Sequence, residues 1–215
     1  MNVLITGASR GIGNAIFNKL SNDFFTIGTS TTGIPPFLKL DINNIHSIEK
    51  IWKTLDEVDI KIDVLINNAG ISQRKEFIKL TYQDITNMLN TNLVGTMMMT
   101  QEFIKRNRKG KIVNIASIGG VNGGIEQAHY AASKAGIINF TKSIVKAYPS
   151  IKCNCISPGI IRTDMIDTSR VNMSRIPMAR VGEPQEVANL VKFLIDDTSD
   201  YIQGQNIIID GGITL

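Results

Sequence analysis

Thr6-Gly7-Ala8-Ser9-Arg10-Gly11-Ile12-Gly13 (TGASRGIG) directly follows a short apolar run, Asn2–Ile5, and opens a segment of helical periodicity, Gly13–Leu20. Glycines in a strand-to-helix turn let the backbone approach a pyrophosphate and let the helix pack on the strand. The helix N-terminus offers free N–H groups and a positive dipole end to an anion. The stretch therefore predicts a dinucleotide-binding turn. Its candidate cofactor contacts are Gly7, Ser9, Arg10, Gly11, Ile12 and Gly13.

Apolar runs alternate with segments of helical period along the rest of the chain. The predicted strands are Asn2–Ile5, Phe24–Thr29, Phe37–Leu40, Val64–Asn67, Lys111–Ala116, Ile151–Ile156 and Ile207–Ile209. The predicted helices are Gly13–Leu20, Ile45–Leu55, Thr81–Arg106, Tyr130–Ala147 and Pro184–Ile195. This alternation is typical of a parallel sheet with helices on both faces. We expect a single α/β domain over residues 1–215, a doubly wound Rossmann fold with a mostly seven-stranded parallel sheet.

One connection is too short for the usual crossover. Only Ser30–Pro36 (STTGIPP) separates the second predicted strand from the third, and two prolines close it. A crossover between parallel strands usually needs a dozen or more residues, normally including a helix. We therefore expect a tight loop here, with the second crossover helix missing.

The charge of the chain is concentrated in one place. The 215 residues include 23 Lys and Arg against 19 Asp and Glu, a formal net charge of +4. Gln101–Lys111 (QEFIKRNRKGK) holds five basic residues and one Glu, so the remainder is neutral. A pI of about 9.1 would suit a nucleic-acid-binding protein, but a local cluster does not predict one. Cations at a helix C-terminus are also favourable by about 0.3–1 kcal/mol each.

Other features exclude several classes of protein. No apolar run approaches the roughly 18 residues of a membrane span, and the N-terminus does not read as a signal peptide. Cys153 and Cys155 are the only cysteines, and His46 and His129 are the only histidines. Their separation predicts no metal site, and we interpret the two cysteines as small core residues. We expect a reduced, cytoplasmic protein with no membrane or nucleic-acid partner.

The end of the second strand favours NADP over NAD. An acidic residue at this position normally accepts hydrogen bonds from the ribose 2′-OH of NAD. The residues here are Gly28-Thr29-Ser30-Thr31-Thr32, without a carboxylate. Arg10 can meet a 2′-phosphate, with the Ser30 and Thr31 hydroxyls as added donors.

Tyr130-Ala131-Ala132-Ser133-Lys134 carries candidate acid–base chemistry. Tyr130 and Lys134 are four residues apart at the start of a helical segment, so they share one face. An ammonium beside a phenol lowers the pKa of the phenol, which suits a proton donor in carbonyl reduction. Ser117 ends a predicted strand thirteen residues earlier, where doubly wound sheets place their ligands. His129 is interpreted as a loop neighbour of Tyr130 rather than a proton donor.

With these motifs the chain resembles the short-chain dehydrogenase/reductase family over essentially its whole length. The motifs that carry the resemblance are Thr6–Gly13, Asn67-Asn68-Ala69-Gly70, Asn92-Leu93-Val94-Gly95, Ser117, Tyr130 with Lys134, Pro158-Gly159-Ile160-Ile161-Arg162-Thr163, and Gly204–Gly212 (GQNIIIDGG). All of them occur in the family's order and spacing.

The resemblance implies a catalytic tetrad of Asn92, Ser117, Tyr130 and Lys134. Tyr130 would be the general acid in reduction and the general base in oxidation, and Ser117 would hold the substrate oxygen. Lys134 would bind the nicotinamide ribose and tune Tyr130, while Asn92 would position a water for proton relay. Further cofactor contacts implied by the family are Asp41 and Ile42 after the third strand, Asn68, Ala69 and Gly70, and Pro158, Gly159, Ile160, Ile161 and Thr163.

Within the family, the sequence is most similar to 3-oxoacyl-[acyl-carrier-protein] reductases of fatty acid biosynthesis. The resemblance implies NADPH-dependent reduction of a carbonyl to a secondary alcohol, with a 3-oxoacyl thioester on an acidic carrier protein as substrate. A sugar or other small polar ketone is an alternative substrate. A catalytically silent NADP-binding regulatory protein is an alternative function. The family also implies a homodimer or homotetramer, formed through the predicted helices Thr81–Arg106 and Tyr130–Ala147 and the C-terminal strand.

Two regions of the sequence do not decide between the candidate substrates. The segment Met165–Pro177, which normally folds over the substrate, is shorter than usual for the family. In or beside it lie Arg162, Arg170, Arg175 and Arg180, against Asp164 and Asp167. These arginines are either solvated loop residues or contacts for an anionic substrate. The basic stretch Lys105–Lys111 has two interpretations as well, a helix terminus or a docking patch for an acidic carrier protein.

Overall fold

The computed structural model describes residues 1–165 and 171–215, and within these ranges seven strands form one sheet. The strands are β1 (Asn2–Ile5), β2 (Phe25–Ser30), β3 (Leu38–Lys39), β4 (Val64–Asn67), β5 (Gly110–Ile115), β6 (Ile151–Pro158) and β7 (Asn206–Ile209). The helices are α1 (Gly11–Leu20), α2 (Ile45–Glu57), α3 (Tyr82–Leu89), α4 (Gly95–Arg106), α5 (Gly119–Asn122), α6 (Ala128–Ala147) and α7 (Pro184–Ile195). Short 3₁₀ turns cover Phe77–Lys79, Met173–Arg175 and Asp197–Ser199.

The sheet is parallel throughout, in the order β3-β2-β1-β4-β5-β6-β7. The chain winds outward from β1 in one direction through β2 and β3 and in the other through β4 to β7. The predicted doubly wound Rossmann fold is thereby confirmed. In such sheets the ligand crevice lies at the carboxyl ends of the strands beside the point where the order reverses, here between β1 and β4.

The two faces of the sheet carry separate apolar cores. Val3 and Ile5 of β1 pack with α1 and α7 in one core, whereas Leu4 between them packs with α2, α4 and α6 in the other. This division follows from the alternation of side chains along a strand, and it requires strands that are apolar on both faces. The buried runs of β1 and β4 meet that requirement.

The connection between β2 and β3 contains no helix, as the short sequence predicts. Residues 31–37, all of them described, form a loop after which β3 pairs with the final residues of β2. Phe37 at the end of this loop packs edge-on against Phe17 of α1, with ring centroids 5.2 Å apart. Both rings lie against Gly28 of β2, so the contact covers the end of β2 on the α1 face of the sheet.

The predicted helix Thr81–Arg106 is interrupted. A wider π turn at Asn90–Val94 separates α3 from α4. Such turns hold one extra residue and occur frequently at functional sites. Here the turn directs the fully buried Asn92 inward, where it exchanges hydrogen bonds with the backbone of Ile71. Sequence periodicity could not show this interruption because the apolar spacing continues across it.

No helix in the described ranges is both long and apolar enough to cross a membrane.

Candidate active site

Ser117 and Tyr130 meet just beyond the carboxyl end of β5. Ser117 Oγ accepts a hydrogen bond from the backbone N–H of Gly119 at 3.1 Å. A β-carbon placed on Gly119 would lie 3.5 Å from Ser117 Oγ and 3.6 Å from Cε1 of the Tyr130 ring, so the two side chains flank one small space. Without a side chain at residue 119, this space can admit a carbonyl group.

The pKa of Tyr130 is raised, whereas the sequence predicted that Lys134 would lower it. Burial raises the pKa of the phenol above its usual range, and the neighbouring Ser117 hydroxyl opposes this only in part. Lys134 Nζ lies 5.8 Å from the centroid of the Tyr130 ring and donates its hydrogen bond to the Ile115 carbonyl oxygen at 2.9 Å. The phenol therefore stays protonated in this chain, which is the state a proton donor needs.

Lys134 is the buried cation of the site. Its side chain is only 5% exposed, and burial lowers the pKa of the ammonium to about 8, with Cys155 opposing the shift. Desolvation disfavours the charged form, so the proton is held less tightly than on a surface lysine.

The lowered pKa of Lys134 predicts an alkaline limb in the rate. We expect kcat/KM for the cofactor, which reports groups of the free enzyme, to fall as pH rises through about 8, because the ammonium loses its proton there. The measurement is a pH–rate profile between pH 6 and 10. Lys134→Arg keeps its charge, so its residual activity should show the limb at higher pH. An identical limb in both proteins would contradict the assignment.

Asn92 approaches Lys134 across Gly70. A β-carbon on Gly70 would lie 3.1 Å from Asn92 Oδ1 and 3.5 Å from Lys134 Nζ. Asn92 Oδ1 accepts from Ile71 N at 2.8 Å, and Asn92 Nδ2 donates to Ile71 O at 3.0 Å. The amide is held in one orientation by these bonds.

Ser133 is a site residue that the sequence interpretation missed. Its Oγ accepts from Asn92 Nδ2 at 3.1 Å and donates to the Tyr130 carbonyl oxygen at 2.6 Å. It therefore joins the π turn to the first turn of α6. The sequence feature that could have identified Ser133 is its position directly before Lys134, on a helix whose other face packs into the core.

The glycine-rich turn is packed against the segment after β4. A β-carbon on Gly13 would lie 2.2 Å from the Gly7 carbonyl oxygen and 2.4 Å from Asn68 Nδ2. Asn68 Nδ2 donates to the carbonyl oxygens of Thr6 and Gly7, each at 3.0 Å. Thr6 Oγ1 accepts from the N–H groups of Asn68 and Ala69, each at 3.0 Å. The predicted contacts of both segments thus lie together at one edge of the sheet.

The first turn of α1 suits an anion. Arg10 is the N-cap residue, its side chain makes no capping hydrogen bond, and no acidic residue lies in the first turn. The N–H groups that begin the helix are thus left without a side-chain acceptor. Thr163 lies against this turn, since its Cγ2 would be 3.3 Å from a β-carbon on Gly11.

The remaining predicted cofactor residues border the same crevice. Pro158 ends β6, and Gly159, Ile160 and Ile161 follow it. Asp41 is exposed and accepts a hydrogen bond from Asn43 N at 3.0 Å. Ile42 is buried, and its carbonyl oxygen would be 2.6 Å from a β-carbon on Gly95 of α4. Its side chain therefore supports the core.

At the end of β2, the residues predicted to contact a 2′-phosphate are only partly arranged as expected. Arg10, Ser9 and Thr31 are exposed. Ser30 is 5% exposed, and its Oγ accepts from Gly33 N at 3.0 Å and lies 3.2 Å from Thr32 Oγ1. The Ser30 hydroxyl therefore holds the turn after β2, which leaves Arg10 and Thr31 as the better candidates for a cofactor phosphate.

His129 is not a loop residue. It lies in the first turn of α6, it is 4% exposed, and its Nε2 is 3.1 Å from Gln73 Oε1. Gln73 in turn donates to Asp84 Oδ1 at 3.0 Å. Burial lowers the pKa of the imidazole, so His129 is neutral and links α6 to the segment before α3.

Two of the four arginines singled out in and beside the segment Met165–Pro177 are paired with carboxylates. Arg162 binds Glu183 at 2.9 Å, and Arg180 binds Glu186 through two bonds of 2.8 and 2.7 Å. Arg175 is exposed, while Arg170 and Asp167 lie outside the described residues. These pairs favour a role for Arg162 and Arg180 in holding the segment before α7 rather than in binding an anion.

The basic stretch Gln101–Lys111 is largely neutralised as well. Lys105 and Arg106 bind Glu102, each at 2.6 Å, and Arg106 also binds Asp56 at 2.8 Å. Lys111 binds Asp197 at 2.5 Å. The stretch ends α4 and begins β5, so it lies at the edge of the sheet opposite the candidate active site.

Within the described ranges, no group of three or more His, Cys, Asp and Glu could hold a metal ion. Cys153 and Cys155 are buried core residues, as predicted, and burial raises the pKa of both thiols.

Known proteins match this chain over nearly its full length. A family model described as enoyl-(acyl carrier protein) reductase matches residues 7–214. The 3-oxoacyl-[acyl-carrier-protein] reductase FabG of Aquifex aeolicus (strain VF5) is 35% identical, over 98% of this chain and 96% of the relative. Carbonyl reductase family member 4 of Xenopus laevis is 36% identical, over 98% of this chain and 97% of the relative.

Solved structures agree with the fold. A 4-hydroxyisoleucine dehydrogenase complexed with NADH superposes with a TM-score of 0.91 at 32% identity, over 99% of this chain and 98% of the other. A putative gluconate dehydrogenase from Agrobacterium tumefaciens gives a TM-score of 0.92 at 31% identity, over 99% and 95%. These matches and the fold show that the chain belongs to the short-chain dehydrogenase/reductase family of oxidoreductases, which use nicotinamide cofactors.

Proposed function

We propose that this protein reduces a 3-oxoacyl thioester, carried on an acyl carrier protein, to the secondary alcohol with NADPH. The observation that supports the chemistry is that Ser117 and Tyr130 flank one space while Asn92 and Lys134 flank another, with Lys134 Nζ 5.8 Å from the centroid of the Tyr130 ring. Full-length relatives named 3-oxoacyl-[acyl-carrier-protein] reductase support the substrate class.

The residues divide the chemistry between them. A nicotinamide held beside Tyr130 and Lys134 would supply the hydride for the carbonyl carbon. Tyr130 donates its phenolic proton to the carbonyl oxygen, and Ser117 holds that oxygen with its hydroxyl. Lys134 keeps a positive charge beside the phenol, which favours the phenolate as the proton leaves. Asn92, fixed by the Ile71 backbone, orients a water that returns a proton towards Lys134 and Tyr130.

The glycine-rich turn and its neighbours fit a dinucleotide. The uncapped N–H groups of α1 would hold the pyrophosphate, and Arg10 and Thr31 would contact the adenosine end. Asn68, Ala69 and Gly70 would line the ribose, with Asp41 beside the adenine. Thr163 and Ile160 would contact the carboxamide. Tyr130 and Lys134 would bound the nicotinamide ribose.

Apolar side chains near the site support an acyl substrate. Ile125 is 89% exposed and Val121 is 43% exposed, and both lie on the segment between Ser117 and Tyr130. Phe77 is 69% exposed on the neighbouring segment, which is tied to Glu126 by a hydrogen bond from Lys75 N to the Glu126 carbonyl oxygen at 2.8 Å. An apolar rim of this kind suits a hydrocarbon chain.

A small polar ketone is the second candidate substrate. Solved structures of a 4-hydroxyisoleucine dehydrogenase and a putative gluconate dehydrogenase superpose on this chain with TM-scores of 0.91 and 0.92, which supports this candidate. A silent nucleotide-binding protein is disfavoured, because such a protein needs no phenol placed beside a serine hydroxyl. We also propose a cytoplasmic homodimer or homotetramer, built through α3–α4, α6 and β7 as in the family.

One panel of substrates tests the proposal. Oxidation of NADPH is followed with a 3-oxoacyl chain on a carrier protein, the same chain on coenzyme A, and polar ketones of similar size. We expect kcat/KM to be highest for the carrier-linked chain and kcat to fall by about 10³-fold in Tyr130→Phe. A preference for polar ketones would support the second candidate, and tight NADPH binding without any turnover would support the silent protein.

Removing the Arg10 guanidinium tests the cofactor preference. Arg10→Ala should raise KM for NADPH about tenfold and leave KM for NADH within about twofold, because only NADPH carries a 2′-phosphate for the guanidinium to bind. Steady-state kinetics with both cofactors provide the measurement. Lys19→Ala, on the far end of α1, is the control. Equal losses for the two cofactors would contradict the NADP assignment.

A further inference from the structure

β3 pairs only with the last two residues of β2. The register pairs Thr29 with Leu38 and Ser30 with Lys39. Because the loop 31–37 is short and lacks a helix, the chain returns at once to the strand end it has just left. Lys39 thereby reaches the position beside β2 where dinucleotide-binding sheets distinguish the substituent on the adenosine ribose.

Lys39 lies on the α1 side of the sheet. Leu40, the next residue, is buried in the core on the α2 side, whereas Phe37, two residues earlier, packs on Phe17 of α1. Alternate residues of an extended segment face opposite sides, which places Lys39 with Phe37. The Lys39 β-carbon would be 2.6 Å from a β-carbon placed on Gly33, so its stem lies against the turn after β2.

The same strand end is joined to the glycine-rich turn. Ala8 N donates to the Thr29 carbonyl oxygen at 2.8 Å. A β-carbon on Gly28 would lie 2.7 Å from Phe37 Cδ1 and 2.8 Å from the Ala8 β-carbon, so Phe37, just before β3, and Ala8 of the glycine-rich turn both lie against Gly28 of β2. Arg10 follows Ala8 by two residues. Arg10 and Lys39 therefore flank the end of β2 from two sides.

The charges around Lys39 leave it available for an anion. The residue is exposed and forms no ion pair with any carboxylate in the described part of the chain. The carboxylate next along the strand, Asp41, accepts the hydrogen bond from Asn43 N in the following turn. A phosphate monoester carries a charge of about −1.5 to −2 near neutral pH, so one guanidinium leaves part of it uncompensated.

We propose that Lys39 is a second cation for the 2′-phosphate of NADPH, acting with Arg10 across the end of β2. The proposal rests on the proposed NADP preference and adds a specificity-determining residue to it. In this proposal the missing crossover helix affects cofactor recognition. Without that helix, the strand after β2 presents a charged side chain directly to the adenosine end of the site.

Binding measurements on single variants test this role. Lys39→Ala should weaken NADPH and 2′,5′-ADP by about tenfold, and it should leave NADH and 5′-AMP within about twofold, because only the first pair carries the 2′-phosphate. Lys39→Arg should retain most of the affinity. Lys61→Ala is the matched control, an exposed lysine just before β4 at the opposite edge of the sheet, and should change none of the four affinities.

The outcomes separate the two levels of the proposal. If the wild-type protein prefers NADPH and Lys39→Ala keeps that preference unchanged, the role of Lys39 is wrong while the cofactor preference holds. Equal losses for NADPH and NADH would likewise overturn the role, because they would indicate a general effect on the turn. If the wild-type protein binds NADH as tightly as NADPH, the cofactor preference fails together with this inference.

Discussion

Replacing Tyr130 with phenylalanine is expected to lower kcat for carbonyl reduction by about 10³-fold. The substitution removes the phenolic proton donor that lies beside Ser117 at the carboxyl end of β5. Ser117 Oγ keeps its bond from Gly119 N at 3.1 Å, so the oxygen-binding group remains in place. The loss should therefore fall on proton transfer, and KM for the cofactor should stay within about twofold.

The stability of Tyr130→Phe should change little. Phenylalanine retains the ring packing, and removing one hydroxyl beside Ser117 should cost no more than about 1 kcal/mol. Tyr148→Phe is the matched control, because Tyr148 is the C-cap residue of the same helix, is 46% exposed and lies far from Ser117. Kinetics and thermal unfolding of both variants are the measurements. Retention of a tenth or more of the wild-type kcat by Tyr130→Phe would contradict the role given to the phenol.

The strands and the order of motifs could be predicted because both follow local rules. β1 and β4 are short apolar runs buried on both faces, and α7 begins at Pro184 and ends at Ile195 as its pattern indicates. The glycine-rich turn was likewise readable, since its glycines are required by contacts within one strand-turn-helix unit. The missing crossover helix followed from the length of the loop alone.

The parts that could not be predicted depend on contacts between distant segments. In the π turn at Asn90–Val94, Asn92 bonds to Ile71, twenty-one residues earlier. The protonated state of Tyr130 depends on how much solvent the fold removes. The pairing of Ser30 with Lys39 depends on strand register, to which composition gives no guide. In each case the deciding partner is separate from the motif that drew attention to the site.

Replacing Gly13 with alanine is expected to damage both folding and cofactor use. The added β-carbon would lie 2.2 Å from the Gly7 carbonyl oxygen and 2.4 Å from Asn68 Nδ2. Because the nearest of these atoms belongs to the backbone, α1 must move away from the glycine-rich turn. We expect the free energy of unfolding to fall by about 3 kcal/mol. We also expect kcat/KM for NADPH to fall by about 100-fold, since a displacement of an ångström is enough to spoil positioning.

A matched substitution separates this effect from a general loss of glycine. Gly124→Ala adds a β-carbon in the exposed loop before α6, where the nearest atom, Gln127 Cβ, is 3.3 Å away and belongs to a side chain. The free energy of unfolding of that variant should fall by less than about 1 kcal/mol, because the Gln127 side chain can move aside. Urea unfolding with an unchanged m-value measures the stability of each protein, and titration with NADPH measures binding. If Gly13→Ala matched Gly124→Ala in both, α1 would not need to touch the turn, and the close packing that forms the dinucleotide site would have no functional consequence.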